Sequence, residues 1–144
     1  MSYRLELMDP LHRCKNLPRM IRFLAILLFT ASCAYAGDVI AVIKSPSTVY
    51  RLKGSNGAFL GQIQPSGGAI SVGCDGETIA VLNSHGVVNR YNAETGAFIG
   101  QNQPSGGGPL TDVQVSGGVM IVRSPHLARR YSARTGAFLG QSQF

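Results

Sequence analysis

The chain has 144 residues, a formal net charge of +6, 44% hydrophobic residues and only 14% charged ones. Its length allows one domain at most beside a targeting segment, and its hydrophobic share excludes a wholly disordered chain. Gly 18 and Pro 7 make it turn-rich without a collagen triplet, and Cys 3, two of them near the N-terminus, excludes a disulfide framework.

The first segment is an address. Residues 23–36 carry no charge, follow Arg13, Lys15, Arg19 and Arg22, and end in Ala34-Tyr35-Ala36 before Gly37. A basic flank, a short apolar run and a small-x-small end predict a secretory signal helix cleaved between Ala36 and Gly37. The run is shorter than the ~20 apolar residues a membrane span needs. Membrane contact is therefore expected only through this segment, with an uncleaved interfacial anchor as the rival reading. Met20-Ile21-Arg22 would itself open a compact signal peptide, so residues 1–19 read as an over-extended start within the 1–36 leader. Thr30-Ala31-Ser32-Cys33 is a weak match to a bacterial lipoprotein box, with Thr30 where Leu is usual, and lipidation at Cys33 ranks below cleavage after Ala36. The expected destination is outside the bacterial cytoplasm, periplasmic or secreted.

Cleavage also removes much of the positive charge. Residues 37–144 keep eight basic and five acidic side chains, a net of +3, with no basic stripe interleaved with aromatics. No nucleic-acid partner is expected from that balance. Only Cys74 remains, which leaves a buried thiol or a chance pairing partner as its fate.

Beyond the leader the chain is repetitive. Gly57-Ala58-Phe59-Leu60-Gly61-Gln62 returns as Gly96-Ala97-Phe98-Ile99-Gly100-Gln101 and as Gly136-Ala137-Phe138-Leu139-Gly140-Gln141. Upstream, Arg51, Arg90 and Arg130 stay in register beside Tyr50, Tyr91 and Tyr131, and Gln64-Pro65-Ser66-Gly67-Gly68 matches Gln103-Pro104-Ser105-Gly106-Gly107 downstream. The triplets Ile40-Ala41-Val42, Ile79-Ala80-Val81 and Met120-Ile121-Val122 are further equivalents. The units run over about 38–66, 67–106 and 107–144.

Each unit reads as short strands between turn signals. In the second, Ala69–Val72 and Thr78–Leu82 flank an Asp75-Gly76 turn, a hairpin cue because Gly accepts positive φ. Val87–Tyr91 and Ala97–Gln101 flank Glu94-Thr95-Gly96, and the Pro- and Gly-rich 104–109 stretch is a flexible connector. Alternation beats helical periodicity throughout. Four strands per ~40 residues is the pattern of a propeller blade. The predicted fold is all-β, a partial β-propeller of about three four-stranded antiparallel blades behind the signal helix. The first unit starts so near the cleavage site that its first strand is expected to be missing.

The run Arg90-Tyr91-Asn92-Ala93-Glu94-Thr95-Gly96-Ala97-Phe98-Ile99-Gly100, with Gly73-Cys74-Asp75-Gly76 before it, resembles the blade repeat of bacterial NHL-like six-bladed propellers. The resemblance covers nearly all of 38–144, and it departs at Cys74, where Pro is usual, and at Ser116-Gly117, which replaces Asp-Gly. Quinoprotein blades share the Thr-Gly turn but add a docking Trp, and Trp 0 here argues against a quinone. No cofactor is predicted. Propellers close with 4–8 blades, so three blades leave two open ends. The expected remedy is a homodimer closing a six-blade ring, the alternatives being a truncated descendant or an open arc.

Few residues carry a chemical suggestion. His85 and His126 sit in equivalent loops and could form a ligand rim, yet no acid or Cys stands beside them at metal-ligand spacing, so no metal is predicted. Asp112, with Ser71 as its equivalent, falls in an innermost strand, where propeller lactonases use acidic channel residues to hold a cation. A hard cation wants several carboxylates, and Asp38, Asp75, Glu77 and Glu94 fall at turns or strand starts, where solvation is the expected role. No serine has a nucleophile elbow, and Ser105–Pro109 lacks the Lys of a phosphate loop. Arg51, Arg90 and Arg130 could form a ring that reads carboxylates or acidic glycans. The favoured expectation is that they bond neighbouring carbonyls. Phe59, Phe98 and Phe138 are expected between blades, and the paired Gln residues on the solvent face. The functional expectation is an exported, non-catalytic binding or scaffold module for a protein, peptide or glycan. The alternatives are a fragment of a lactonase-like hydrolase or quinoprotein-like enzyme, or a degenerate product without activity.

Overall fold

Short apolar runs punctuated by glycines with positive φ fold into eleven strands over residues 38–144, the residues that the computed structural model describes. The expected signal helix, Cys33 and the Ala36–Gly37 junction lie outside the described residues. The strands are β1 (Val39–Ser45), β2 (Thr48–Lys53), β3 (Phe59–Ile63), β4 (Ala69–Cys74), β5 (Thr78–Asn83), β6 (Val88–Asn92), β7 (Phe98–Asn102), β8 (Asp112–Ser116), β9 (Val119–Ser124), β10 (Leu127–Ser132) and β11 (Phe138–Gln143). They form three antiparallel meanders, β1-β2-β3, β4-β5-β6-β7 and β8-β9-β10-β11. Any counterpart of β4 and β8 in the first unit would precede Asp38. The architecture is the predicted one: all-β, with three sheets matching partial propeller blades.

Turn chemistry depends on the residues available. Asp75 Oδ1 accepts the N–H groups of Glu77 (3.1 Å) and Thr78 (2.9 Å), an Asx turn that lets Gly76 take φ 89°. The third unit has no Asp there and shortens the connection to Gly117-Gly118, at φ 56° and 78°. Two successive positive φ values make the tight hairpin that glycine pairs favour.

The core lies between sheets. Ala41, Val49 and Ile63 of the first sheet meet Val72, Cys74, Ile79 and Val81 of the second. Ala80, Leu82 and Val88 meet Val113, Val115, Met120 and Val122 of the third. Strand β5 is thus buried on both faces, which is why its centre, Ile79-Ala80-Val81-Leu82, is continuously apolar. Gly73 brings the inner strands together: a Cβ there would stand 2.7 Å from the Val115 nitrogen. The Cys74 thiol is buried and donates to the Val39 carbonyl at 3.3 Å, the burial outcome of its two expected fates.

The three phenylalanines overturn an expectation. Phe59, Phe98 and Phe138 are 60%, 58% and 56% exposed, not packed between blades. Their rings meet Tyr50, Tyr91 and Tyr131 of the same sheet edge-on, at 5.3, 5.7 and 5.6 Å between centroids. A bulge is the local cause. Arg90 pairs with Gly100 but Tyr91 pairs with Phe98, so Ile99 is an extra residue, and Leu60 and Leu139 are extra in the same way. A bulge breaks the period-two alternation on which the expectation rested. The inter-sheet space is instead filled by aliphatic residues, among them Ile63, Leu82 and Met120, with Tyr91 and Tyr131.

Truncating a core residue should therefore cost far more than truncating a rim aromatic. Leu82→Ala is expected to lower unfolding free energy by roughly 2–5 kcal/mol, and Phe98→Ala by about 1 kcal/mol, the value of an edge-to-face contact. Urea denaturation of the two variants checks the difference, and equal losses would refute the placement.

Candidate functional site

The side chains with the greatest chemical potential converge on the seams between sheets. On β2, Arg51 points out of the first sheet and donates from Nη1 to the carbonyls of Ala93 (3.0 Å) and Glu94 (2.5 Å) in the second. On β6, Arg90 repeats the contact one sheet later, donating to the carbonyls of Ala133 (3.1 Å) and Arg134 (2.8 Å). Both arginines are buried, and neither makes an ion pair among the described residues. Burial pushes the Arg90 pKa below its ordinary value, and the turn carbonyls supply the compensation that a carboxylate would otherwise give. Each Nε remains without a hydrogen-bond partner among the described residues.

Two glycines make room for each guanidinium. A Cβ on Gly61 would lie 2.5 Å from Arg51 Nη2, and one on Gly96 would lie 2.8 Å from its Nε. For Arg90 the corresponding distances, from Gly100 and Gly136 to Nη2, are 2.5 and 2.6 Å. All four glycines have positive φ. The repeated string from Arg through Thr-Gly to Phe-Leu-Gly is therefore an inter-sheet fastener: an arginine, a glycine opposite it on the same sheet, and a glycine turn on the next sheet. This is the favoured structural role, and it removes Arg51 and Arg90 from any ligand-reading ring. Arg130, on β10, is exposed, and its guanidinium makes no hydrogen bond among the described residues.

The acids are engaged in the same way. Asp112 Oδ1 accepts the Ser71 hydroxyl at 2.7 Å, and its Oδ2 accepts Arg123, its cross-strand neighbour. Ser71 Oγ also accepts the Val113 N–H at 3.2 Å, so the two inner-strand equivalents stitch the second sheet to the third. Asp75 corrects its expected solvated role. It is buried, and beyond its own turn it accepts the Gly118 N–H at 2.8 Å from the next sheet. A dipeptide read as a hairpin cue thus also holds a seam. Arg129, which sequence reasoning passed over, donates to the carbonyls of Ser105 and Gly106 at 2.8 Å each and pins the connector that was expected to be flexible. Its only sequence signal was a second arginine beside the repeated one.

His85 and His126 are both exposed, on loops between the second and third strands of their units. His85 lies over Gly67, where a Cβ would be 2.5 Å from its Nδ1, and borders an open cleft of about 320 Å³ with Asn83, Gln103, Ile70 and Leu110. A second open cleft, of about 470 Å³, is lined by Glu77, Asn92, Glu94, Ile99 and Arg134. Among the described residues no three His, Cys, Asp or Glu side chains come together as metal ligands would. Burial raises the phenol pKa of Tyr91, and that of Tyr131 against the opposing charge of Arg129, which keeps both hydroxyls neutral. The Gln residues at 62, 64, 101, 103, 141 and 143 are exposed, as expected.

Neither a protein-family profile nor a curated protein matches the chain. Among solved structures it is similar to the WD40 repeats of RRP9, with a TM-score of 0.59 at 10% identity over 74% of this chain and 36% of that one. U3-55K gives the same values. BamB from Moraxella catarrhalis gives a TM-score of 0.58 at 13% identity, over 74% of this chain and 34% of that one. The chain thus spans about a third of the length of each of these structures. At such identities the likeness establishes a β-propeller-like repeat fold.

The fastener makes a specific demand on two positions. Arg90→Ala is expected to cost about 3 kcal/mol, because one buried and one partly buried carbonyl lose a charged donor. Arg90→Lys should rescue little of it, since an ammonium cannot reproduce the planar fork. Gly100→Ala should cost a similar amount by pushing the guanidinium out of its slot. Thermal and urea unfolding check all three, and a Gly100→Ala protein as stable as the wild type would refute the slot.

Proposed function

We propose that the protein is an exported, non-catalytic binding or scaffold module of NHL-like propeller type that engages a protein or peptide along the outer rim of its blades. The supporting observation is the repeated exposure of one apolar pair at the same station on all three sheets: Phe59/Leu60, Phe98/Ile99 and Phe138/Leu139. Each phenylalanine is held edge-on by a tyrosine behind it. A fixed aromatic loses little side-chain freedom on docking, which favours such residues as anchors. Exposed glutamines on the same strands, such as Gln62, Gln101 and Gln141, add hydrogen-bonding capacity beside the apolar row. The polar groups that an enzyme reading would recruit are meanwhile engaged within and between the sheets: Asp112 on Arg123 of its own sheet and Ser71 of the next, Asp75 on the Gly118 N–H, Arg51 and Arg90 on carbonyls.

The test is a peptide and glycan array probed with the exported protein and with a Phe59→Ser/Phe98→Ser/Phe138→Ser variant. Selective peptide capture by the wild type, weakened at least ~10-fold in a folded variant, is the expected result. Glycan capture that the variant retains, or calcium-dependent lactone hydrolysis, would replace this reading. Export is checked separately by N-terminal sequencing of the extracytoplasmic species, which should begin at Gly37.

A further inference from the structure

The fastener has two halves, and among the described residues one copy of each is unused, on the third and first sheets. Arg130 is the third-sheet equivalent of Arg51 and Arg90, cross-strand to Gly140 as they are to Gly61 and Gly100. A Cβ on Gly140 would lie 3.0 Å from Arg130 Nη2, so the same-sheet half of the slot is built. Yet Arg130 is exposed, with no carbonyl partner for its guanidinium among the described residues. At the other end, the β2–β3 turn of the first sheet is the equivalent of the two turns that receive arginines. Lys53 and Gly57 close it as Asn92 and Gly96, and Ser132 and Gly136, close the others, by the same backbone hydrogen bond of 2.7–2.8 Å. Gly57 has φ 70°, against 75° and 77° for Gly96 and Gly136. The carbonyls of Gly54 and Ser55 stand where those of Ala93 and Glu94 accept Arg51, and no arginine reaches them among the described residues.

The departures from the repeat agree with this pairing. Asp75 of the second sheet bonds the Gly118 N–H of the third. The residue that occupies the Gly118 position in the first sheet is Asp38, because Gly54 N–H donates to the Asp38 carbonyl as Ala133 N–H does to Gly118. Position 116 would thus lie at the Asp38 main-chain N–H, as Asp75 Oδ2 lies at that of Gly118, while the Asp38 carboxylate is held by the Ser55 N–H and Lys53 of its own sheet. The third sheet carries Ser116 there, a hydroxyl whose oxygen can accept that N–H as Asp75 does.

We propose that the third sheet of one copy docks against the first sheet of a second copy, with Arg130 inserted into the partner copy's turn at residues 53–57 and Ser116 facing its Asp38. The first and third sheets of one copy share no hydrogen bond among the described residues, so the two halves meet between chains. The contact is heterologous, and two copies joined head to tail at both seams close a ring of six blades. Three copies would make nine, beyond the 4–8 that propellers adopt. The assembly does not depend on what the outer rim binds, and its failure would leave that reading untouched.

Sedimentation equilibrium of the exported wild-type protein should give the mass of two chains at micromolar concentration. Arg130→Ala removes only an exposed side chain from the single copy, and it is expected to weaken association at least ~30-fold while the circular dichroism spectrum is unchanged. Gly57→Asn, which keeps a residue tolerant of positive φ but puts a Cβ in the slot, should weaken it comparably. A mixture of these two variants retains one intact seam and should recover part of the two-chain species. A wild type of single-chain mass up to ~100 µM, or an Arg130→Ala protein that dimerises as tightly as the wild type, would overturn the proposal.

Discussion

A buried guanidinium that reaches across a seam to two turn carbonyls is the interaction on which the arrangement of the sheets depends. Hydrophobic contact between sheets supplies most of the attraction, but it is non-directional and would tolerate sliding. The arginine is not tolerant. Once desolvated it must find acceptors, and leaving it without them costs more than the bonds contribute net. The turn after the third strand of the next sheet offers two carbonyls in line, and only one rotation between the sheets brings them within reach. Specificity of orientation comes from that requirement, and tightness from the apolar side chains beneath.

Other polar groups add to the same seam at different radii. Ser71, Asp112 and Arg123 tie the inner strands, and Asp75 ties a hairpin to its neighbour. Asn102 donates to the Gly136 carbonyl at 2.8 Å further out. The contacts differ between the first and second seams, whereas the arginine recurs at both. A repeat that must hold many neighbours in one relation needs at least one contact that does not drift, and the glycines that clear its path are constrained with it. This explains why Gly61, Gly100 and Gly140 recur even though each weakens a strand by lacking a side chain to pack.

The rim obeys a different constraint. The bulge just after each outer phenylalanine turns the strand so that the next glycine can pass beneath the arginine. The same bulge turns the Phe-Leu pair outward. Exposure of an apolar ladder is thus mechanically coupled to the seam, and a blade that keeps the fastener also displays the pair. A module of this build presents one sticky feature per blade at a fixed spacing, and affinity for an extended partner would grow with the number of blades engaged.

Much of this was legible before any coordinates. The 39- and 40-residue spacing of Gly-Ala-Phe, the Asp75-Gly76 cue and the alternation of short apolar runs are local properties, and local backbone preference was enough to place strands, turns and the blade-like grouping. Arg51 and Arg90 were legible as structural residues because a charge repeated at a fixed station serves the repeat. The residues alone left open everything decided by distance between sheets. The burial of Asp75, the engagement of Asp112, the role of Arg129 on a connector and the outward turn of Phe98 each depend on a partner some 20–45 residues away or on a one-residue bulge that no periodicity announces. Composition and pattern determined which elements form. Only the packing of one sheet on the next decided which polar groups were left over, because a hydrogen bond across a seam is set by geometry that neither sheet possesses alone.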